Sequence, residues 1–337
     1  QQRPPPINKH ILASRPSGAS PDGEFDSYWA RLATLAGMDD KIGGVKLICL
    51  PWAGGSSRLY APWASHRLAA AMELVTPELP GRMSRAAEEA IVSLPVLAAK
   101  LVEECDAAGH LAGTFVLLGY SFGAAVAFEM ASLLEQRGTP PLALCVCALR
   151  PPHMPLASKH LSSLESEHII DYFASKGNPI APEITSNPEV LALFLGTVKA
   201  DYQCLETYVA TNAVLSCPLI VSGGTADEGV PLDALDEWRA HSSALTSVTH
   251  FDGGHYFFLR ASAELADHIL ASLSPLAVAA EQAAGQAYET TIAAAFAEVL
   301  ALPSDTVLDK SSNFFEVRCG TRRITARTIR RMPHRTQ

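Results

Sequence analysis

From Val45 onward the chain alternates short apolar runs with segments of helical periodicity, and that alternation builds a parallel sheet covered by helices on both faces. Four early runs read as strands, at 45–50, 72–76, 114–119 and 142–149. Between the second and third, Leu94, Leu97, Ala98, Leu101, Val102 and Cys105 recur at helical spacing and make one apolar stripe, which predicts a helix packed on the sheet. The stretch after Ser121, FGAAVAFEMASLLEQRG, is rich in helix formers and stops at Gly138. Strand signals then pause over roughly 152–214, where HIIDYFASK and PEVLALFLGTVKADYQCLETY read as an inserted helical lid. The alternation resumes with a strand at 218–222, a helix at 232–241, a strand at 245–251 and a helix at 261–272. The expected fold class is α/β: at least six strands in a mostly parallel sheet, flanked by helices and interrupted by the lid.

This places one large domain at 43–275. Residues 1–42 open with RPPP and continue with SRPSGASPDG, which reads as an extended linker, and the missing initial Met fits a processed product or a fragment of a longer polypeptide. An Ala-rich bridge at 276–286 leads to a second small unit at 287–337, where Ile292, Ala295, Phe296, Val299 and Leu300 form another helical stripe. With 48% hydrophobic and 18% charged residues, the chain has the balance of a globular protein and not of a disordered or coiled-coil one. No run approaches the roughly 18 apolar residues of a membrane span, and QQRPPPINKH lacks the apolar core of a secretion signal, so the expected location is cytoplasmic.

Seven arginines and no acid lie in 318–337, so the net charge of −9 leaves −16 on the first 317 residues. An acidic body repels a polyanion, which argues against a nucleic-acid partner despite the basic tail. The cysteines at 49, 105, 145, 147, 204, 217 and 319 include no CxxC pair, so neither a zinc site nor a disulfide scaffold is expected. Cys145 and Cys147 alternate along one strand and are expected to pack on the same face.

Within LLGYSFGAAVAF, Ser121 occupies Gly-x-Ser-x-Gly between a strand and a helix. In that context Gly119 and Gly123 permit a sharp turn that exposes the serine hydroxyl, with unpaired helix N–H groups behind it. A serine needs a base, and His255 is the best placed of eleven histidines, in FDGGHYFF at a strand end where Gly253 and Gly254 permit a tight loop. His250 falls within the strand itself. The carboxylate that orients the imidazole is assigned to Asp227, past the strand PLIVSGG in GGTADEGV, with Glu228 as its near alternative and Asp252 less suited. The chain order Ser121, Asp227, His255 is that of an α/β-hydrolase sheet. For an oxyanion hole, one donor is expected at the Phe122 N–H and the other in LICLPWAGGSS, at Ala53 in preference to Trp52. That loop lacks the Gly-rich pattern that cradles phosphate, and no metal or other cofactor is called for.

Over about 45–272 the chain resembles the type II thioesterases that serve non-ribosomal peptide and polyketide synthases. The likeness runs through LICLPWAGGSS, ELPGR, LLGYSFGAAVAFEMA, the RPPH turn, NPEVLALFLGTVKADYQCLETY, CPLIVSGGTADEGV, WRAHS and FDGGHYFF. It implies hydrolysis of acyl thioesters held on the phosphopantetheine arm of an acyl or peptidyl carrier protein. The partner is then that carrier, and the protein is expected to be a monomer or part of a multidomain synthase. Trp52 stands where the family usually has His before Ala-Gly-Gly, and GGTADEGV departs from the family's frequent Asp-Pro.

Residues 287–317 resemble the first part of a carrier domain, through ETTIAAAFAEVLAL and SSNFFEV. Beyond them the chain reads VRCGTRRITARTIRR, with Thr321 where a carrier has the serine that bears phosphopantetheine, so a degenerate remnant is expected. A small-molecule carboxylesterase shares the same catalytic set, and a non-catalytic docking domain of a synthase is the alternative from a different class.

Overall fold

A computed structural model describes residues 44–154, 156, 160–210 and 213–299, together with three short strands within 306–325. The expected linker at 1–42, Thr321 and the end of the basic tail lie outside the described residues. In chain order the main domain comprises β1 (Lys46–Leu50), α1 (Arg67–Ala71), β2 (Glu73–Val75), α2 (Leu94–Ala107), β3 (Phe115–Tyr120), α3 (Phe122–Gln136) and β4 (Leu144–Cys147). The insertion follows, with α4 (Ser166–Ser175), α5 (Pro182–Thr185) and α6 (Pro188–Thr207). The domain closes with β5 (Leu219–Gly224), α7 (Leu232–Asp236), β6 (Thr246–Phe251) and α8 (Phe258–Val299).

The six strands form one sheet in the order β2-β1-β3-β4-β5-β6, and every neighbouring pair is parallel. Both faces of the central strands are covered, which is why β3, β4 and β5 are buried throughout, while the edge strands β2 and β6 carry polar residues. Leu47, Cys49, Val116, Leu118, Cys145 and Cys147 pack on one face with Trp63, Leu68, Phe257 and Ile269. Their neighbours Ile48, Leu50, Leu117, Leu144 and Val146 pack on the other with Leu97, Leu101, Val126 and Met130. Cys145 and Cys147 thus share a face as expected, and with Cys49, Cys105, Cys204 and Cys217 they are buried free thiols. Burial pushes the Cys147 thiol up to about 12.

The chain leaves β1 outward toward β2 and then returns to β3 on its other side, so the strand order reverses between β1 and β3. The loops leaving the carboxyl ends of these two strands flank a crevice, the usual location of a site in such sheets.

Two segments differ from the sequence reading. The expected helix at 232–241 is α7 followed by a 3-10 turn at Glu237–His241. The final helical stretch spans Phe258–Val299 with a break at Ala261 (φ −108°, ψ 28°), so the Ala-rich bridge at 276–286 is helical. Its run of Ala, Glu and Gln has high helix propensity, and Leu273 and Ala277 anchor the helix in the core. Beyond it, β7 (Thr306–Val307), β8 (Glu316–Cys319) and β9 (Arg322–Thr325) pair antiparallel in a separate small sheet.

Candidate active site

Ser121 lies on the one-residue turn between β3 and α3, with φ 53° and ψ −116°. A left-handed φ is costly for a residue with a Cβ, and here close packing enforces it. A Cβ at Gly119 would lie 2.1 Å from the Gly123 carbonyl oxygen, and one at Gly123 would lie 2.3 Å from that of Leu50. Both glycines of the motif are therefore required by backbone approaching backbone.

His255 follows β6. Its loop is held by hydrogen bonds from Ala226 N–H to Gly253 O at 2.8 Å and from the Tyr120 hydroxyl to His255 O at 2.7 Å. Tyr120 immediately precedes Ser121, so one side chain ties the serine turn to the histidine loop. The imidazole Nε2 lies 2.9 Å from Ser121 Oγ, and Nδ1 lies 2.7 Å from Asp227 Oδ2. The other carboxylate oxygen of Asp227 accepts the N–H groups of Gly229 at 3.0 Å and Val230 at 3.2 Å, which fixes its rotamer. At 6% exposure Asp227 is shielded from water, which strengthens its hold on the ring.

The alternatives lie elsewhere. Glu228 has a side chain 88% exposed and sits 3.6 Å from Lys176. Asp252 and His250 are exposed.

The loop after β1 contains a β-turn closed by Gly55 N–H donating to Trp52 O at 2.9 Å, with Gly54 at φ +71°. Trp52 supplies the acceptor of that turn. Ala53 and Phe122 are both buried, and among the described residues neither of their N–H groups has a hydrogen-bond acceptor. A buried donor without an acceptor is costly unless something else occupies it.

The lid lies over this site. Ile169, Phe173, Leu195 and Val198 form an apolar cluster with Tyr256, the residue after His255, and Trp52 and Phe194 pack against it. The Trp52 ring meets Tyr120, Tyr256 and Phe258 edge-on, at centroid separations of 5.4, 5.1 and 6.1 Å. The aromatic that departs from the family pattern is thus part of the roof.

Sequence reasoning assigned no role to Arg82 and Asp201, which form a buried ion pair against the loop after β1. The signal available in sequence was Asp201 on the same helical stripe as Val198 and Leu205, the buried side of the long lid helix. Among the described residues, no group of three or more His, Cys, Asp or Glu is arranged to hold a metal ion, and no helix is long and apolar enough to cross a membrane.

A parallel sheet in this strand order, with a serine on the turn after its third strand and a helical insertion after its fourth, defines an α/β-hydrolase fold. The family model for the thioesterase domain matches residues 45–273. The chain belongs to the thioesterase family, hydrolases that act on thioester bonds. It is 32% identical over 232 residues to thioesterase PikA5 of Streptomyces venezuelae, covering 67% of this chain and 81% of that one. It is 28% identical over 232 residues to the gramicidin S biosynthesis protein GrsT of Aneurinibacillus migulanus, covering 68% and 89%. Among solved structures it resembles YbtT, the type II thioesterase of the yersiniabactin NRPS/PKS pathway, with TM-score 0.60, 31% identity, and 67% and 91% of the two chains covered.

Proposed function

We propose that this protein releases acyl groups, as free acids, from the phosphopantetheine arm of an acyl or peptidyl carrier protein in a non-ribosomal peptide or polyketide synthase, for editing or product release. The observation that carries the reading is the hydrogen-bonded chain from Ser121 through His255 to Asp227 beneath an apolar lid. Relatives whose names place them in such biosynthetic pathways support the carrier-bound substrate.

In this mechanism Ser121 Oγ attacks the thioester carbonyl carbon while His255 Nε2 takes its proton. Asp227 holds the ring in the tautomer that leaves Nε2 free and stabilises the imidazolium. The carbonyl oxygen becomes an alkoxide facing the N–H groups of Phe122 and Ala53, which have no acceptor among the described residues. Collapse of the intermediate expels the pantetheine thiolate, which takes the proton from His255. Water then attacks the acyl ester by the same route, freeing the acid and restoring Ser121. Sulfur stabilises a thioester carbonyl poorly, so an activated serine suffices and the chemistry requires no cofactor of the enzyme's own. Trp52, Tyr256 and Phe194 present the apolar surface for the acyl chain.

The test is a panel of acyl-carrier substrates of varied chain length assayed for free acid, with Ser121→Ala as control. Release by the native chain and none by the variant is expected. Turnover of p-nitrophenyl esters with none of acyl-carriers would instead indicate a small-molecule esterase. Failure of a fluorophosphonate to label Ser121 would indicate a non-catalytic docking domain.

A further inference from the structure

Arg82 and Asp201 meet through two contacts, Nη2 to Oδ1 at 2.6 Å and Nη1 to Oδ2 at 2.8 Å. Asp201 is 1% exposed and Arg82 7%, so both charges are out of water. At that depth desolvation costs about as much as the attraction returns, and stability alone is a weak reason for such a pair.

The pair does something further. Asp201 Oδ2 accepts the N–H of Gly54 at 2.8 Å, and Arg82 Nη1 donates to the carbonyl oxygen of Gly55 at 2.9 Å. The second half of the turn that contains Ala53 is therefore gripped at both ends. Asp201 belongs to α6, and the same face of that helix presents Val198 and Thr197. A Cβ at Gly54 would lie 2.5 Å from Val198 Cγ2, so α6 rests directly on the turn. Thr197 donates to Gly81 O at 3.1 Å, tying α6 to the ELPGR loop that carries Arg82.

We propose that Asp201, together with Arg82, is a positioning residue that holds the Ala53 N–H in place to receive the developing alkoxide, and that it makes this placement depend on lid helix α6. The inference rests on the proposed hydrolase mechanism. Asp201→Asn keeps one acceptor oxygen but breaks the two-point grip with Arg82, and Leu at 201 leaves the Gly54 N–H with no acceptor; either change frees the turn to rotate its peptide groups. With the pair intact, a lid displaced from its seat carries the donor away with it.

The experiment compares native protein, Asp201→Asn and the double variant R82M/D201L. The double variant replaces the ion pair by apolar side chains of similar size, a change that buried pairs often tolerate without loss of stability. Each protein is assayed with an acyl-pantetheine thioester, titrated with an acyl trifluoromethyl ketone that mimics the tetrahedral intermediate, and titrated with the free acid product. Both variants are expected to lose about 10- to 100-fold in kcat, with KM and product affinity within about threefold of native. Affinity for the ketone should fall in step with kcat/KM, while the double variant keeps a cooperative melting transition. Variants that fold and match the native kcat and ketone affinity would overturn the proposal, as would a loss confined to KM and product affinity. A native protein that no fluorophosphonate labels at Ser121 would overturn the underlying mechanism. Native protein that labels and turns over, beside variants that do the same, would remove the positioning role alone.

Discussion

His255 Nδ1 lies 2.7 Å from Asp227 Oδ2, although the two residues are 28 positions apart and stand beyond the ends of neighbouring strands β5 and β6. The parallel pairing that aligns Gly224 with Phe251 brings their loops together, and Thr225 N–H donating to Phe251 O at 2.8 Å extends that pairing into them.

Asp227→Asn keeps the shape of the side chain and removes its charge. The ring is then no longer held with Nε2 free to accept a proton, and kcat is expected to fall by about 10⁴. Asp227→Ala also leaves the Gly229 and Val230 N–H groups without their acceptor, which should cost a further ~1–3 kcal/mol of stability that the Asn variant largely retains. Steady-state kinetics beside chemical denaturation of both variants separates the two effects.

Ser121 should show a trade between stability and activity. Its φ of 53° is expensive for any residue with a Cβ and inexpensive for glycine. S121A and S121G both lose the hydroxyl and are expected to lose turnover by orders of magnitude. S121G should nevertheless be more stable than S121A by about 1 kcal/mol, because only the first relieves the backbone. Thermal melts of the pair, which differ by a single methyl group, give the comparison.

Glycine at 123 is needed for space, whereas glycine at 196 is not. Gly123→Ala would drive a methyl group to 2.3 Å from the Leu50 carbonyl oxygen and is expected to destabilise the domain and abolish activity. Gly196 lies within α6 with nothing within 4 Å of the position its Cβ would take. Gly196→Ala should therefore raise stability by about 0.5–1 kcal/mol through helix propensity and leave kcat unchanged.

Burial lowers the affinity of His268 and His241 for protons relative to the ordinary value of 6.5. As pH falls, the unfolded chain takes up these protons first, so their contribution to stability is complete above pH 6.5 and is lost as the medium becomes more acidic. The melting temperature is expected to rise from pH 5 to 7. His268→Leu should flatten that rise, since among the described residues the buried Nε2 of His268 has no partner to lose. Melting curves of native and variant protein across this range test the sign.

We propose that residues 287–317, read in sequence as resembling the start of a carrier domain, do not accept phosphopantetheine, because on that resemblance Thr321 takes the place of the acceptor serine. Whole-protein mass spectrometry after incubation with coenzyme A and a phosphopantetheinyl transferase is expected to show no adduct.

Much of the fold is legible in the sequence because both faces of the sheet are covered: strands such as FVLLGY must then be apolar throughout, and the stripe from Leu94 to Cys105 has only one surface to seek. Ser121 and His255 are legible through glycines that only a tight turn explains. The sequence favours Asp227 but leaves Glu228 open, since the choice depends on which carboxylate reaches the His255 ring across the neighbouring loop, a tertiary fact. Arg82 and Asp201 stayed hidden for the same reason, being 119 residues apart with a meaning that arises only where α6 crosses the loop after β1. The helix through 276–286 was obscured by an Ala-rich composition that suits either a mobile bridge or a helix, until docking of Leu273 and Ala277 decides.

Rapid quenching of the reaction with an acylated carrier, followed by peptide mapping, addresses the mechanism at its key step. An acyl group should appear as an ester on the peptide containing Ser121 before free acid accumulates, and it should be absent from Ser121→Ala. Acid released at the native rate by Ser121→Ala, or with no acyl group ever found on that peptide, would contradict it.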